Sequence, residues 1–175
     1  MKKMKIKTIS ILGMILLLSV TIPAVYAKGP TGKAGKSNNQ HLYLYEKDDT
    51  TWEVVEGGAW GKMKYNLKSG KFMFNGHGLE AGEAYNLINF ARVDTEWPAT
   101  INNLAEGTVN PGGNIHIKGT EAYGDLKPDT TPGEDTSGAK IWLVKSEDIT
   151  LEPEQIFGWN PKKYLFEASL IKLPI

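Results

Sequence analysis

From His41 onward the sequence alternates between apolar and polar residues in short runs, and this alternation limits the fold more than any other feature. Glycine, proline or asparagine interrupts the runs about every 8 to 12 residues. Successive side chains of a strand point to opposite faces, so such runs suit strands that bury one face. No long segment has the period of an amphipathic helix. The pattern predicts an all-β fold, an antiparallel immunoglobulin-like β-sandwich of about 7 to 9 short strands.

The runs also predict how some strands are joined. Two hairpins are expected, one between the runs at 62–67 and 71–75 and one between the runs at 104–109 and 114–118. The run at 139–145 is apolar on both faces, which is typical of a central strand. The run at 164–173 is predicted as a closing strand that covers a sheet edge, with a short helix as the alternative.

The first 27 residues have the composition of a secretory signal peptide. Four lysines precede an apolar stretch from Ile9 to Val20, and Val25-Tyr26-Ala27 supplies small or modest residues before a cleavage site. An uncleaved membrane anchor is the alternative, because the segment from Ile9 to Ala27 is close to the roughly 20 residues that span a bilayer. Cleavage after Ala27 would release the mature chain into a periplasm or outside the cell, with no membrane span left.

The neutral total of 20 basic and 20 acidic residues conceals three segments of different charge. The leader carries four lysines, and a predicted flexible linker at 28–40 carries three more and no acid. The single predicted domain, 41–175, therefore has 13 basic and 20 acidic residues, a net charge of −7. This charge argues against a nucleic-acid partner. The absence of cysteine excludes disulfides, thiolate metal sites and a cysteine nucleophile.

Two resemblances to known proteins add an expectation about fold. The segment 78–87 resembles the tyrosine corner of immunoglobulin-like and fibronectin type III sandwiches, with Tyr85 and Leu79 at the structural positions and Ala81 in place of the usual proline. The motifs EGGAWGKM, FNGHGL and GWNP are similar to those of a group of uncharacterised secreted prokaryotic β-sandwich proteins. The second resemblance implies a secreted sandwich and brings no activity with it.

Three tryptophans in turn contexts are the main candidates for a binding site. Trp60, Trp97 and Trp159 each lie beside glycine or proline, where a large ring either covers an end of the sandwich or forms an exposed platform. An exposed platform would suit a polysaccharide or another cell-surface component, and it predicts coplanar, solvent-exposed rings. The neighbouring side chains expected to form hydrogen bonds are Asn75, Asn102, Asn160 and His77.

An enzymatic alternative centres on His77, which two glycines flank. A small extracellular hydrolase would combine it with nearby acids such as Glu80, Glu83, Asp94 and Glu96. No metal-binding histidine spacing and no G-x-S-x-G motif occurs in the sequence. A self-assembling structural envelope protein is a third possibility. Since no motif for catalysis is present, a secreted, non-catalytic binding or cell-envelope interaction module is the leading hypothesis.

The loop at 123–138 is rich in acidic, glycine and proline residues. Its acids are Asp125, Asp129, Glu134 and Asp135. A mobile acidic loop is the favoured interpretation, and a calcium site is the alternative hypothesis, since calcium prefers 6 to 8 oxygen ligands. The spacing does not match the series of acids in an EF-hand loop. No other cofactor is expected.

Overall fold

The computed structural model describes residues 38–92 and 96–173, so the predicted signal peptide and most of the predicted linker lie outside the described residues. The strands within these ranges are β1 (Asn39–Tyr45), β2 (Trp60–Asn66), β3 (Lys71–His77), β4 (Ala84–Phe90), β5 (Ala99–Thr108), β6 (Ile115–Thr120), β7 (Gly138–Lys145), β8 (Ile149–Leu151), β9 (Glu154–Ile156), β10 (Phe166–Glu167) and β11 (Ile171–Lys172). Two short 3-10 helices span Ser146–Asp148 and Pro161–Lys163. No described helix is both long and apolar enough to cross a membrane.

The strands form two antiparallel sheets packed face to face. Sheet 1 has the order β10-β1-β2-β3-β6, and sheet 2 has the order β11-β7-β4-β5-β9-β8. The prediction of an antiparallel β-sandwich is confirmed. The described strands outnumber the expected 7 to 9, because β8 to β11 are pieces of only two or three residues that complete the sheet edges.

The main core lies between the sheets and follows the predicted alternation. Met63, Tyr65 and Phe74 point inward and are fully buried, and Phe72 is nearly so. The hairpin that joins β2 to β3 is the first of the two predicted ones. Gly61 permits this packing, since a Cβ atom at that position would lie 2.2 Å from the ring of Phe74.

Sheet 2 is buried on both faces at its centre. All eight residues of β7 are buried, as the prediction of a central strand requires. Leu143 faces sheet 1, whereas Trp142 and Val144 belong to a second apolar cluster on the other face. Residues of the C-terminal segment, including Tyr164 and Phe166, cover this second face. This cover brings aromatic residues from distant parts of the chain together outside sheet 2.

The second predicted hairpin is wrong. β5 pairs with β4 and β9 in sheet 2, whereas β6 pairs with β3 in sheet 1. The loop between them therefore crosses from one sheet to the other, closed by a hydrogen bond from the Asn110 amide to the Asn114 carbonyl. Alternation identifies an inward face for each run, but it does not say which strand each one pairs with.

The segment at 164–173 contributes strands, as the main prediction for it stated. β10 pairs with the edge of β1, and β11 pairs with the edge of β7. Leu165 also forms a bridge to Leu143 of β7. The chain thereby covers an edge of each sheet and links the two sheets along one side of the sandwich.

The two residues that resemble a tyrosine corner are both buried, Tyr85 at the start of β4 and Leu79 before it. Burial raises the pKa of Tyr85 to about 12. Among the described residues the Tyr85 hydroxyl makes no hydrogen bond to backbone, and the ammonium of Lys145 lies 5.3 Å from the ring centroid. Lys145 in turn forms an ion pair with Glu83.

Candidate functional site

A cleft of about 720 Å³ opens where the C-terminal segment covers the outer face of sheet 2. This volume lies within the range of about 300 to 1,000 Å³ that is usual for small-molecule sites. Its aromatic lining consists of Trp52, Phe90, Trp97, Trp142, Trp159 and Phe166. Its polar lining consists of Lys47, Arg92, Asp129, Thr131, Glu134, Lys140 and Glu167. We call this site the aromatic cleft.

Regular strands hold the floor of the aromatic cleft. Trp142 of β7 stacks on Phe90 of β4 with ring centroids 3.9 Å apart and an interplanar angle of 15°. Phe166 of β10 meets Trp142 edge to face at 5.2 Å. Because β4 and β7 are paired along most of their length, this floor is rigid.

Two of the three tryptophans singled out in the sequence form the rim. Trp97 and Trp159 are 42% and 47% exposed, and their rings meet edge to face at 5.8 Å. The Trp97 indole donates a hydrogen bond of 2.7 Å to the Phe157 carbonyl. The Asp148 carbonyl accepts from the Gly158 amide, and the Asp148 carboxylate accepts a 2.6 Å bond from Tyr164. These bonds fix the turn that presents Trp159.

Trp52 completes the rim, and no sequence pattern singled it out. It has a φ of 59°, a left-handed conformation that is uncommon for a bulky residue. Asp48 stabilises the turn, because its carboxylate accepts hydrogen bonds from the amides of Thr50 and Thr51. These bonds hold the pKa of Asp48 below its usual value. The strained backbone places the Trp52 ring 6.1 Å from that of Trp159.

The expectation of coplanar tryptophans is wrong. The Trp159 ring is inclined by 36° to Trp52 and by 81° to Trp97. The rings therefore enclose a volume from several sides and do not form a flat platform. Coplanar rings were expected of an exposed platform, but the sequence places these residues in turns without specifying how the turns are oriented relative to one another.

A buried ion pair lies at the polar end of the cleft. The ammonium of Lys140 is 2.7 Å from the carboxylate of Asp129 and 2.6 Å from that of Glu134. Only 3% of the Asp129 side chain is exposed, against 47% of that of Glu134. Burial would lower the pKa of Lys140, but the two carboxylates outweigh it and raise the pKa. For Asp129, the bonds from Lys140 and Thr131 outweigh burial and lower the pKa.

Asn89 of β4 positions the loop that carries these acids. Its amide nitrogen donates to the carbonyls of Lys127 and Lys140, and its oxygen accepts from the Lys127 amide at 2.8 Å. The Thr130 amide donates a hydrogen bond to the carbonyl of Arg92, just after the end of β4. The Asn89 side chain is fully buried, and its hydrogen bonds hold the loop against sheet 2. This position of the loop places Asp129 at the cleft.

Three buried polar atoms of the described residues lack a hydrogen-bond partner, and all three belong to residues that line the aromatic cleft. They are Arg92 Nε, Trp142 Nε1 and Glu167 Oε2. Folded proteins satisfy roughly 90% or more of their buried polar groups, so a group of unpaired ones in a single place requires an explanation. Two of the atoms are donors and one is a carboxyl oxygen. A ligand with hydroxyl groups could pair with all of them.

Glu167 is a largely buried acid of the cleft whose pKa is raised. Burial raises its pKa, although its own backbone amide, Lys47, Lys140 and the Trp142 indole offset part of the effect. The Trp142 indole faces the carboxyl without meeting the geometry of a hydrogen bond. The carboxyl can therefore hold a proton at a higher pH than a solvent-exposed glutamate.

Glu167→Gln is expected to stabilise the protein at neutral pH and to have little effect near pH 4. Because the folded-state pKa is raised, the folded protein binds this proton more tightly than the unfolded chain. Ionisation of Glu167 therefore lowers the free energy of unfolding of the wild type. This loss develops as the pH rises from about 4.3, the usual pKa of glutamate, through the raised pKa of Glu167 in the folded protein. Denaturant unfolding at several pH values would measure the difference between variant and wild type.

The matched control is Glu106→Gln, at an exposed position on β5. We expect its effect on the unfolding free energy to be small, because the side chain is exposed. A Glu167→Gln effect that does not grow between pH 4 and pH 7 would contradict the assignment of Glu167 as a desolvated acid.

The four acids proposed for calcium do not come together. Asp129 and Glu134 bind Lys140, Asp135 accepts a hydrogen bond from the Ser137 amide, and Asp125 is exposed. Over residues 38–92 and 96–173, no three histidine or acidic side chains are arranged to hold a metal ion. The arrangement gives the calcium hypothesis no support, since the loop uses two of its acids to fix a lysine.

The remaining predicted site residues lie outside the aromatic cleft. Trp60 contacts His77 with ring centroids 4.8 Å apart, and His77 Nδ1 is 2.7 Å from Asn114 Oδ1. Asn75 is 2.7 Å from the ring of His116. Among the described acids, none lies within hydrogen-bonding distance of His77.

The other two asparagines have structural partners. Asn102 donates to Glu121 at 2.8 Å, and the Asn160 carbonyl accepts from the Lys163 amide at the second 3-10 helix. The cleft therefore gathers four of the predicted site residues, Trp97 and Trp159 from the tryptophan set and Asp129 and Glu134 from the acidic loop. To these the structure adds Trp52, Phe90, Arg92, Lys140, Phe166 and Glu167, together with Trp142 of the central strand β7.

Comparison of the chain with protein-family models, with curated proteins and with solved structures found no match.

Proposed function

We propose that this protein is a secreted, non-catalytic carbohydrate-binding module and that the aromatic cleft holds the sugar. The main support is the set of unpaired polar atoms, Arg92 Nε, Trp142 Nε1 and Glu167 Oε2, within an aromatic lining. A sugar ring has an apolar face of C–H groups that packs on aromatic rings, and hydroxyls that both donate and accept hydrogen bonds. One sugar can therefore satisfy both donors and the carboxyl oxygen.

The charges of the cleft favour a neutral ligand. Its lining includes three basic side chains and three acidic ones, so their formal charges cancel. A ligand with a net charge would add an uncompensated charge to a partly buried site, which costs free energy. A neutral, hydroxylated ligand does not incur this cost.

The inclined rings support recognition of an individual sugar unit or the end of a chain. Trp52, Trp97 and Trp159 surround the opening from different directions, whereas the surface of a packed polysaccharide would require a flat row of rings. The three rings are each more than 40% exposed, so they present apolar area that a ligand can cover.

The arrangement of the acids favours binding over catalysis. Glycoside hydrolysis usually needs two carboxyl groups about 5 to 9.5 Å apart, one on each side of the scissile bond. Asp129 and Glu134 are both bound to Lys140, which leaves Glu167 as the one acid of the lining without an ion-pair partner. The hydrolase hypothesis based on His77 loses support as well, because His77 contacts Trp60 and Asn114.

The proposal can be tested by titrating the protein with a panel of short, neutral oligosaccharides and following tryptophan fluorescence and heat of binding. We expect at least one member to bind and to change the emission. Trp97→Ala and Trp159→Ala should each weaken its affinity by roughly 30-fold, the effect of removing an interface residue worth about 2 kcal/mol.

Trp60→Ala provides the matched control, because Trp60 is 40% exposed but does not line the cleft. We expect this variant to bind the oligosaccharide as the wild type does. Two results would refute the proposal: no response to any member of the panel, or equal losses for Trp60→Ala and Trp159→Ala. Thermal melting of each variant would establish that it is folded.

A further inference from the structure

The outer face of sheet 1 has a composition unlike the rest of the domain. Alternation along β1, β2, β3 and β6 points fifteen side chains away from the core. They are Asn39, His41, Tyr43, Tyr45, Trp60, Lys62, Lys64, Asn66, Lys71, Met73, Asn75, His77, His116, Lys118 and Thr120. We call this surface the cationic face. It holds four lysines and all three histidines of the chain, and no aspartate or glutamate.

The lysines of the cationic face form no ion pair within the described part of the chain. The ion pairs found there involve Lys140, Lys145, Lys162 and Lys163. Lys62 and Lys64 are two residues apart on β2, and therefore about 7 Å apart along the strand. Burial, and then repulsion by Lys62 and Lys64, lowers the pKa of the neighbouring His41. A domain with a net charge of −7 thus presents one strongly positive surface.

Aromatic residues occupy one end of the same surface. Tyr45, Trp60 and His77 are paired across β1, β2 and β3 and form one row. Tyr43 in the next row stacks on Tyr45, with ring centroids 6.2 Å apart, and the Lys62 ammonium lies 5.3 Å from the Tyr43 ring. The aromatic rings and the lysine ammonium groups of this face therefore lie close enough together for one polymer chain to contact both.

We propose that the cationic face binds an acidic polysaccharide, a polymer of sugars that carry carboxylate groups. Lysine ammonium groups would pair with the carboxylates, and Tyr43, Tyr45 and Trp60 would pack on the sugar rings. The surface is separate from the aromatic cleft but next to it, since Tyr45 pairs with Phe166 of the cleft on one side and with Trp60 on the other.

The composition of the face favours this polymer over two other polyanions. An anionic membrane is usually bound by apolar side chains that enter the lipid, and only Met73 and Trp60 of the fifteen side chains of this face are exposed large hydrophobic residues. Phosphate groups of nucleic acids are matched best by the planar fork of arginine, and the face contains no arginine. Widely spaced ammonium groups suit a polymer with isolated, single charges.

The test measures binding of soluble polygalacturonate by the full-length protein at low ionic strength. We expect Lys62→Gln/Lys64→Gln to weaken this binding by about tenfold. The double substitution removes two of the proposed ion pairs between lysine and the carboxylates of the polymer, each of modest strength. Lys62→Arg/Lys64→Arg keeps the charge and should bind as the wild type does. Raising the ionic strength to 0.15 M should remove most of the difference, since the screening length falls to about 8 Å.

A charge-matched control is Lys127→Gln/Lys172→Gln, at exposed lysines outside the cationic face. An equal loss of affinity in this control would overturn the proposal, and so would unchanged binding in Lys62→Gln/Lys64→Gln. Preferential binding of phosphatidylglycerol vesicles or of single-stranded DNA would also overturn it. Neutral-oligosaccharide binding in the cleft should be the same in Lys62→Gln/Lys64→Gln and in the wild type, so the two proposals can fail separately.

Discussion

Lys140→Ala is expected to lower the free energy of unfolding by about 3 to 5 kcal/mol. The substitution removes the ammonium that neutralises Asp129, whose side chain is only 3% exposed. An isolated carboxylate in such a place has lost its hydration without gaining a partner, and the hydrogen bond from the Thr131 amide does not replace the charge. Urea unfolding at pH 7, with the slope of the transition compared with that of the wild type, would measure the change.

Two further variants isolate the cause of this loss. Lys140→Met/Asp129→Asn removes both charges and keeps an oxygen that can accept from Thr131, so it should recover most of the stability. Lys163→Ala breaks an ion pair with Glu80 in which both side chains are about half exposed, and it should have a much smaller effect. If Lys140→Ala and Lys163→Ala cost the same, the Lys140 pair is not desolvated and the polar end of the cleft is open to water.

Trp142→Ala is expected to cost a similar amount, about 3 to 5 kcal/mol. Trp142 is 9% exposed and contacts Phe90, Phe166 and Trp159 through its rings. Removing it leaves a cavity beneath the cleft that these aromatic neighbours cannot fill. Trp60→Ala is the matched control for stability, because the Trp60 ring is 40% exposed and the loss should be smaller.

Trp142→Phe separates the structural role of this residue from its role in binding. An aromatic ring keeps the stacking on Phe90, so most of the stability should remain. The variant lacks the indole N–H that has no partner in the protein, and we expect it to bind a neutral oligosaccharide about tenfold more weakly. Wild-type affinity in Trp142→Phe would show that the ligand does not use the indole N–H, and the role proposed for it would be wrong.

The sequence was informative where a property depends on neighbouring residues. Alternation predicted the all-β class, the hairpin of β2 and β3, and the inward faces of Met63, Tyr65 and Phe74. It also identified β7 as a central strand, because apolar residues on both of its faces require cover on both sides. Glycine and proline next to Trp97 and Trp159 correctly placed both residues in loops.

The sequence did not predict the features that depend on which distant segments of the chain pair with each other. The runs at 104–109 and 114–118 lie in different sheets although they alternate as hairpin strands would. Trp60 has the same kind of turn context in the sequence as Trp97 and Trp159, yet it begins a strand of sheet 1 and contacts His77. Glu167 was one acid among 20, with no local pattern to separate it from the others.

The sequence by itself determined the alternation of the strands, the absence of cysteine chemistry and the net charge of each segment. Only the tertiary structure decided that Arg92, Trp142 and Glu167 converge on one cleft, and that four lysines share a face without an acid. The physical reason is the range of the interactions. Alternation is set by backbone geometry over a few residues, whereas a binding surface depends on which strands pair and on how loops far apart in sequence pack together.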